Sequence, residues 1–309
     1  MTEGLQGKSL LDLTELTQED VLDIIQLGVA IKNDPKAYQT ALAGKILAMI
    51  FEKNSTRTRV SFEAGIIQLG GQAIVLDTKS TQLSRGEPVK DTAKSLSSYV
   101  DGIMIRTFSD RMVQELAQEA SVPVINGLTD EHHPCQVLAD LMTIYETKGT
   151  LKGLKLAYVG DGNNMAHSYL IGGSLVGMDV AIASPAGYQP KEAFVEVAKQ
   201  NAKKSGSSIL ITEEPAQAVV DADVVLTDVW ASMGDESEQK QRQGIFRSYQ
   251  VNDALVSNAH TDYMFLHCLP AHREEEVSTS IIDGPHSYIY QEAENRLHAQ
   301  KALLVKLMS

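Results

Sequence analysis

Residues 51–71 read FEKNSTRTRVSFEAGIIQLGG and, in Ser55 to Arg59, carry two arginines and three hydroxyl side chains where an apolar run gives way to a helical pattern. The preceding segment, Lys45 to Phe51 (KILAMIF), is short and apolar, as a buried strand is, and Val60, Ala64 and Ile67 then recur at helical spacing until Gly70-Gly71. The pattern predicts a strand, a polar turn and a helix whose first turn is capped by Ser55 or Thr56. A helix start offers free N–H groups and about half a positive charge, so an oxyanion there gains backbone donors, hydroxyls and the guanidinium of Arg57 or Arg59 together. The bland counterpart is an ordinary capped helix whose arginines pair with Glu52 and Glu63 at the surface. The stretch lacks the Gly-x-x-x-x-Gly-Lys-Ser/Thr of a nucleoside triphosphate loop, which leaves a small phosphorylated or carboxylated metabolite as the expected ligand.

Similar strand-to-helix units recur on both sides of this one. Candidate strands at 45–51, 73–77, 102–106 and 122–125 alternate with helical patterns near 55–69, 88–98 and 110–120, after an amphipathic helix over 14–31 capped near Thr17. A helix from Pro134 to about Lys148 leads to Gly149 and Gly153, and the alternation restarts with strands at 155–160, 179–183, 208–211, 223–227 and 262–266. Alternation of this kind predicts an α/β protein with two open parallel-sheet α/β domains joined by interdomain helices. The expected domains are 1–149 and 150–290, with a final helix over 291–309 packing its Leu297, Leu303, Leu304 and Leu307 back on the first.

Composition narrows the partners. The 309 residues carry a formal net charge of −13, with 43% hydrophobic and 22% charged residues, as a soluble globular protein does. Nucleic acid and anionic membranes are disfavoured, because either demands a broad basic face. The two cysteines, Cys135 and Cys268, form no Cys-x-x-Cys pair, which points to a reducing, cytoplasmic setting rather than a disulfide framework. The acidic, polar-broken N-terminus predicts no signal or transit peptide, and no apolar run approaches the roughly 18 residues of a membrane span.

Open parallel sheets bind ligands outside the carboxyl ends of their strands. The residues there are Ser55, Thr56, Arg57 and Thr58 after the first strand, the loop Lys79 to Gly86 after the second, Arg106-Thr107 at the third, and His132-His133-Pro134-Cys135-Gln136 after the fourth. In the second half, Asp161-Gly162-Asn163-Asn164, Asp228 to Gly234 and His267-Cys268-Leu269-Pro270 take the equivalent places. The first set suits an anion. The second suits a zwitterion, with Asp228 for an ammonium and an asparagine amide for a carboxylate.

The segments Ser55-Thr56-Arg57-Thr58-Arg59, His133-Pro134-Cys135-Gln136 and His267-Cys268-Leu269-Pro270 resemble, in order and over essentially the whole chain, the signatures of the aspartate and ornithine carbamoyltransferases. Asp228 followed by Ser232-Met233-Gly234, with the Asn163-Asn164 pair, resembles the ornithine branch. The resemblance implies transfer of the carbamoyl group of carbamoyl phosphate to the side-chain amine of L-ornithine, without a cofactor or metal, by a homotrimer with shared active sites working in arginine metabolism. It implies that Ser55, Thr56, Arg57 and Thr58 hold the phosphate, that Arg106, His133 and Gln136 hold the carbamoyl group, and that Gln82 reaches in from a neighbouring subunit. It further assigns ornithine to Asn164, Asp228, Ser232 and Met233, and completes the site with Cys268, Leu269 and Arg296, with Arg106, His133 and Cys268 as the catalytic set. These residue types fit the chemistry: Arg106, His133 and Thr58 are donors for the negative charge that develops on the carbamoyl oxygen, and Cys268 can orient the attacking amine or help take up its proton.

Three other readings compete. Gly160-Asp161-Gly162 after a strand suggests a dinucleotide, but Met165 replaces the third glycine and Asp179 begins the next strand instead of ending it. A zinc site drawn from His132, His133, Cys135, His267, Cys268 and His272 is opposed by the alternation along a strand, which points neighbours such as His267 and Cys268 to opposite sides. A two-domain amino-acid-binding protein leaves the arginines at strand ends without a purpose.

Overall fold

The computed structural model describes residues 4–78, 81–231 and 238–309. Two compact units are present: Met1–Met142 together with Glu294–Ser309, and Thr143–Ala293. Both are parallel α/β units, one built on a four-stranded and the other on a five-stranded sheet.

The first unit opens with α1 (Gln18–Asn33). Its start is a capping box, in which Thr17 Oγ1 accepts from the Asp20 N–H at 3.1 Å while the Thr17 N–H donates to Asp20 Oδ2 at 2.9 Å. There follow β1 (Ile46–Phe51), α2 (Arg57–Gln68), β2 (Gln72–Asp77), α3 (Val89–Ser97), β3 (Gly102–Arg106), α4 (Asp110–Glu119), β4 (Val124–Leu128) and the start of α5 (Pro134–Lys148). The sheet order is β2-β1-β3-β4. Strands β1, β3 and β4 are covered on both faces, which is why they read as unbroken apolar runs; their Ala48, Ile50, Ile103, Ile105 and Val124 pack with Val113 and Leu116 of α4.

Register decides where the chemistry lies. Phe51 pairs with Asp77 on one side and with Arg106 on the other, so three strands end level. Between β3 and β4 the pairing passes from Ile105–Asn126 to Arg106–Leu128, skipping Gly127. A Cβ on Gly127 would stand 2.7 Å from Met104 Sδ and 3.2 Å from the Ile105 carbonyl, so a larger residue beside Arg106 would press on β3. That polar Asn126-Gly127 step also hid the true end of β4, expected at 125.

Helix α2 forms where expected but buries another face. Val60 and Ile67 are 58% and 57% exposed, while Thr58, Phe62, Gly65 and Ile66 are buried, Gly65 against Leu297 and Lys301 of the C-terminal helix. The cap is Ser55, whose Oγ accepts from the Thr58 N–H at 3.2 Å, and the Thr56 side chain makes no capping bond.

In the second unit β5 (Lys155–Val159), α6 (Asn164–Leu175), β6 (Asp179–Ala183), α7 (Glu192–Ser205), β7 (Ile209–Thr212), α8 (Pro215–Val219) and β8 (Val224–Thr227) precede α9 (Gln239–Phe246), α10 (Asp253–Val256), β9 (Met264–His267) and α11 (Thr279–Ile282). Helix α12 (Ile289–Met308) begins in this unit and ends in the first. The sheet order is β7-β6-β5-β8-β9, so the direction of winding reverses between β5 and β8. In the first sheet it reverses between β1 and β3. These switch points open the crevices in which open α/β sheets bind ligands.

Removing the capping hydroxyl of α1 tests the local reading. Thr17→Ala should lower stability by about 1 kcal/mol in chemical denaturation, because the Asp20 N–H loses its acceptor.

Candidate active site

At the β1/β3 switch point two guanidinium groups converge on one hydroxyl. Arg106, the last residue of β3, donates from Nη1 to Thr58 Oγ1 at 3.1 Å, and Arg296 of α12 donates from Nη2 to the same oxygen at 3.3 Å. Arg296 Nη1 also donates to Gln136 Oε1, and Gln136 Nε2 continues to Asp140 Oδ1 at 2.7 Å. Gln136 and Asp140 lie four apart on α5, one above the other, which lets the chain run along the helix. Arg106 and Arg296 are only 7% and 5% exposed. Lys53, also buried, pairs with Asp130 and sits 4.4 Å from the Phe108 ring centre.

His133 is buried just before Pro134 opens α5, and its carbonyl accepts from the Gln136 N–H at 3.1 Å. Burial first, and then Arg296, Arg106, Lys53 and Arg57, hold its pKa well below the ordinary 6.5. The imidazole is therefore neutral at pH 7, able to donate one hydrogen bond without adding a further cation. Cys135 is buried as well, its Sγ 3.5 Å from the Asn126 carbonyl, and burial pushes its thiol up to about 11. It is an inert core thiol.

At the β5/β8 switch point the groups are of opposite character. Asn163 caps α6: its Oδ1 accepts from the N–H groups of Met165 at 3.0 Å and Ala166 at 3.4 Å. Its Nδ2 donates to Asp228 Oδ2 at 2.9 Å. The other Asp228 oxygen accepts from the Val229 N–H at 2.8 Å and from the Cys268 thiol at 3.2 Å. Tyr158 donates to Asn163 Oδ1 at 3.3 Å. Its hydroxyl is held well above pKa 10, by burial first and then by Asp228 and Asp161, and so stays protonated.

Cys268 and Leu269 follow β9, and a buried carboxylate pair fixes that turn. The Leu269 N–H donates to His267 Nδ1 at 2.9 Å, which leaves Nε2 to face Glu276 Oε1 at 3.3 Å, and the His267 N–H donates to Glu292 Oε2 at 2.8 Å. Leu269 holds a left-handed φ of +57°. Among the described residues, two groups bring metal-capable atoms within 4.8 Å of one another: Asp228, His267 and Cys268, and His272, Glu275 and Glu276. The expectation that His267 and Cys268 diverge is therefore corrected, because β9 ends at His267 and alternation does not extend to Cys268. Both His267 ring nitrogens are engaged in the bonds just described, which leaves no lone pair for a metal.

The structure thus brings Thr58, Arg106, Gln136, His133 and Arg296 together in the first unit, and Asp228 and Cys268 in the second, with Ser55 at the α2 cap. Arg57 is the exposed first residue of α2, and Arg59 pairs with Glu63 at 3.6 Å on the surface. Thr56 and Gln82 are exposed, the latter in a short 3₁₀ turn, Gln82–Arg85. Asn164 is the first residue of α6, while the Asp228 contact belongs to Asn163. Ser232 and Met233 lie outside the described residues. Sequence reading missed Lys53 and Asp140, each visible only as one more polar residue near a strand or helix end. A separate groove, bordered by Pro190, Val195, Leu210 and Thr212, follows β7 at the sheet edge farthest from β8 and β9.

The buried His133 predicts a pH effect on stability. Its folded-state pKa is depressed, so below about 6.5 the unfolded chain takes up a proton that the folded site refuses, and stability falls as pH falls through that window. Thermal unfolding between about pH 6.5 and 5 should show a steeper loss for the wild type than for His133→Gln, which has no imidazole to titrate.

Family models bear on both units. Residues 8–146 match the model described as the carbamoyl-P binding domain of aspartate/ornithine carbamoyltransferase, and residues 152–307 match its Asp/Orn binding domain. The chain is 60% identical over 303 residues to an ornithine carbamoyltransferase of Listeria innocua, covering 98% of this chain and 96% of that one. It is 58% identical over 305 residues to one from Bacillus subtilis, covering 99% and 95%. The solved structure of the ornithine carbamoyltransferase from Pyrococcus furiosus superposes with a TM-score of 0.96 at 53% identity, over 99% of both chains. With two family domains in order over nearly its full length, the chain belongs to the aspartate/ornithine carbamoyltransferase family.

Proposed function

We propose that the protein is an ornithine carbamoyltransferase, moving the carbamoyl group of carbamoyl phosphate to the side-chain amine of L-ornithine to give L-citrulline and phosphate. The observation that carries this reading is the convergence of Arg106 and Arg296 on Thr58, beside a neutral His133, within the unit that matches a carbamoyl-P binding domain. In this assignment the N–H groups opening α2, with Ser55, Thr56, Arg57 and Thr58, receive the phosphate. Arg106, His133 and Thr58 donate to the carbamoyl oxygen as charge builds on it, and Gln136 and Arg296 orient the group. Cationic partners on the phosphate also make it a better leaving group.

Ornithine is assigned to the second unit, its α-ammonium on Asp228 and its α-carboxylate on the Asn164 amide, with Ser232 and Met233 completing that half-site. The attacking amine must be neutral, and a free alkyl ammonium of this kind has a pKa near 10.4, so its proton has to leave before or during attack. The Cys268 thiol, hydrogen-bonded to Asp228, stands next to the groups assigned to the amino acid and orients it. Both cysteines are free thiols, which supports a cytoplasmic setting, and the citrulline-forming reaction is read as a step of arginine metabolism.

The working unit in this reading is a homotrimer with shared sites. Large apolar side chains are exposed on neighbouring elements of the first unit, Val60 and Ile67 on α2 and Ile74 on the edge strand β2, and Gln82 is exposed after that strand. Mixing Arg106→Ala subunits with Gln82→Ala subunits should regenerate sites that hold neither substitution and restore part of the activity. Mixed oligomers that form and stay inactive would rule out sharing.

The purified protein should form citrulline and phosphate in equal amounts from carbamoyl phosphate and L-ornithine. Arg57→Ala should lower kcat/KM for carbamoyl phosphate by about a hundredfold, the effect of losing a charge-assisted contact worth roughly 3 kcal/mol. Putrescine lacks the α-carboxylate and leaves its donors unpaired at about 1–3 kcal/mol each, so ornithine should exceed it by about a hundredfold or more in kcat/KM. Comparable use of the two amines would overturn the ornithine assignment and leave the carbamoyl transfer standing.

A further inference from the structure

The second unit holds two nearly buried carboxylates at its switch point, and the reaction assigned above uses one of them. Asp228 follows β8, and Asp161 follows β5, two residues before Asn163. Asp161 has a cation of its own. Arg242 of α9 donates from Nη1 to Asp161 Oδ2 at 2.7 Å, and the two side chains are 11% and 12% exposed. The same Nη1 donates to the Trp230 carbonyl at 3.0 Å, Nε reaches Glu238 at 3.1 Å, and the guanidinium carbon lies 5.1 Å from the Tyr188 ring centre.

Three elements therefore meet at one guanidinium. The Asp161 loop is also fixed from behind, since the Gly162 N–H donates to the Tyr188 carbonyl at 2.8 Å and a Cβ on Gly162 would stand 2.3 Å from the Gln189 and Pro190 backbone. Asn163 then links this loop to Asp228, while Trp230, two residues beyond Asp228, is linked to Arg242. Through these bonds and the short chain segments between them, Arg242, Asp161, Asn163, Asp228 and Trp230 form one closed circuit that includes the carboxylate assigned to the amino acid.

We propose that Arg242 is a positioning and specificity-determining residue of the amino-acid half-site. By pairing with Asp161 it leaves Asp228 as the carboxylate presented to the substrate ammonium, and it offsets a second anion that would repel the substrate α-carboxylate. The inference rests on the ornithine reading. Low exposure makes the pairing matter, because charges excluded from water act on one another with little screening. Tyr158 supports the shared location, its hydroxyl feeling both Asp228 and Asp161. A zwitterionic substrate gains from a site with one anion and one amide donor, whereas a site with two anions favours a diamine that carries no carboxylate.

The test compares ornithine with putrescine in Arg242→Gln, Arg242→Lys, Asp161→Asn and the Arg242→Gln/Asp161→Asn double variant, with fluorescence of the single tryptophan, Trp230, as a binding readout independent of turnover. In Arg242→Gln the ornithine-to-putrescine ratio of kcat/KM should fall by about tenfold or more, mainly through KM for ornithine, with KM for carbamoyl phosphate unchanged. Asp161→Asn, which leaves the cation in place, should move the ratio the other way, and the double variant should recover most of the wild-type ratio. Arg242→Lys keeps the charge without the fork and should retain the ratio better than Arg242→Gln. Equal loss with both amines, or a double variant no better than Arg242→Gln, would show a structural role only and overturn the proposal. Should Arg242→Gln fail to fold, the direction of the Asp161→Asn shift decides alone. A wild-type protein that makes no citrulline defeats the underlying reading instead, and is recognised before any variant is compared.

Discussion

Two arginines buried against a single hydroxyl set the terms for the first unit. A threonine oxygen has two lone pairs, and in Thr58 both accept, one from Arg106 and one from Arg296. Its own hydrogen is thereby directed to an acceptor beyond the pair. Like charges held this close and this dry are costly, and the partial relief in the fold comes from Asp140, reached through Gln136, and from Asp130 on Lys53. An arrangement of this kind gains most from a bound anion. A chain with a net charge of −13 can hold a phosphate only where cations are concentrated and shielded from its acidic surface, and burial provides both conditions.

Burial first, and then the same crowding, keeps His133 neutral. A protonated imidazole next to Arg296, Arg106 and Lys53 would add a further cation to a desolvated cluster, so the ring gives up its charge and keeps its N–H. The level ends of β1 and β3 and the skipped Gly127 matter because they place these groups within reach of one another. Removing any one of the cations changes the electrostatics of all the rest.

Much of the fold was legible because both sheets are parallel and buried, which writes each inner strand as a continuous apolar run. Helix α2 shows where periodicity stops. It carries two apolar stripes, and the spacing of Val60 and Ile67 is as helical as that of Phe62 and Ile66, so period alone cannot say which stripe is buried. At the site, the strand-end rule found Thr58, Arg106, His133, Gln136, Asp228 and Cys268. Arg296 lies 160 residues beyond Gln136 on a helix with no local signature, and only resemblance to relatives pointed to it. Arg242 was missed for a similar reason: in EQKQRQ it looks like solvated charge, and its partner is 81 residues away.

The adjacent asparagines illustrate how finely the second unit divides its labour. Asn163 is committed to capping α6 and to Asp228, and its neighbour Asn164, to which the proposed reading assigns the α-carboxylate, stands at the first helical position. Asp228 carries a similar constraint. A carboxylate beside an amine favours its protonated form, and an amine that must attack carbon needs the neutral form. Were Asp228 in contact with the reacting amine, it would hold that group above its ordinary pKa of about 10.4 and oppose the reaction. Placed on the α-ammonium, which stays charged throughout, the same carboxylate binds without that penalty and fixes the amino acid by the end that does not react. In the proposed reading, the physical chemistry of one proton therefore favours the α-ammonium over the reacting amine as the partner of Asp228.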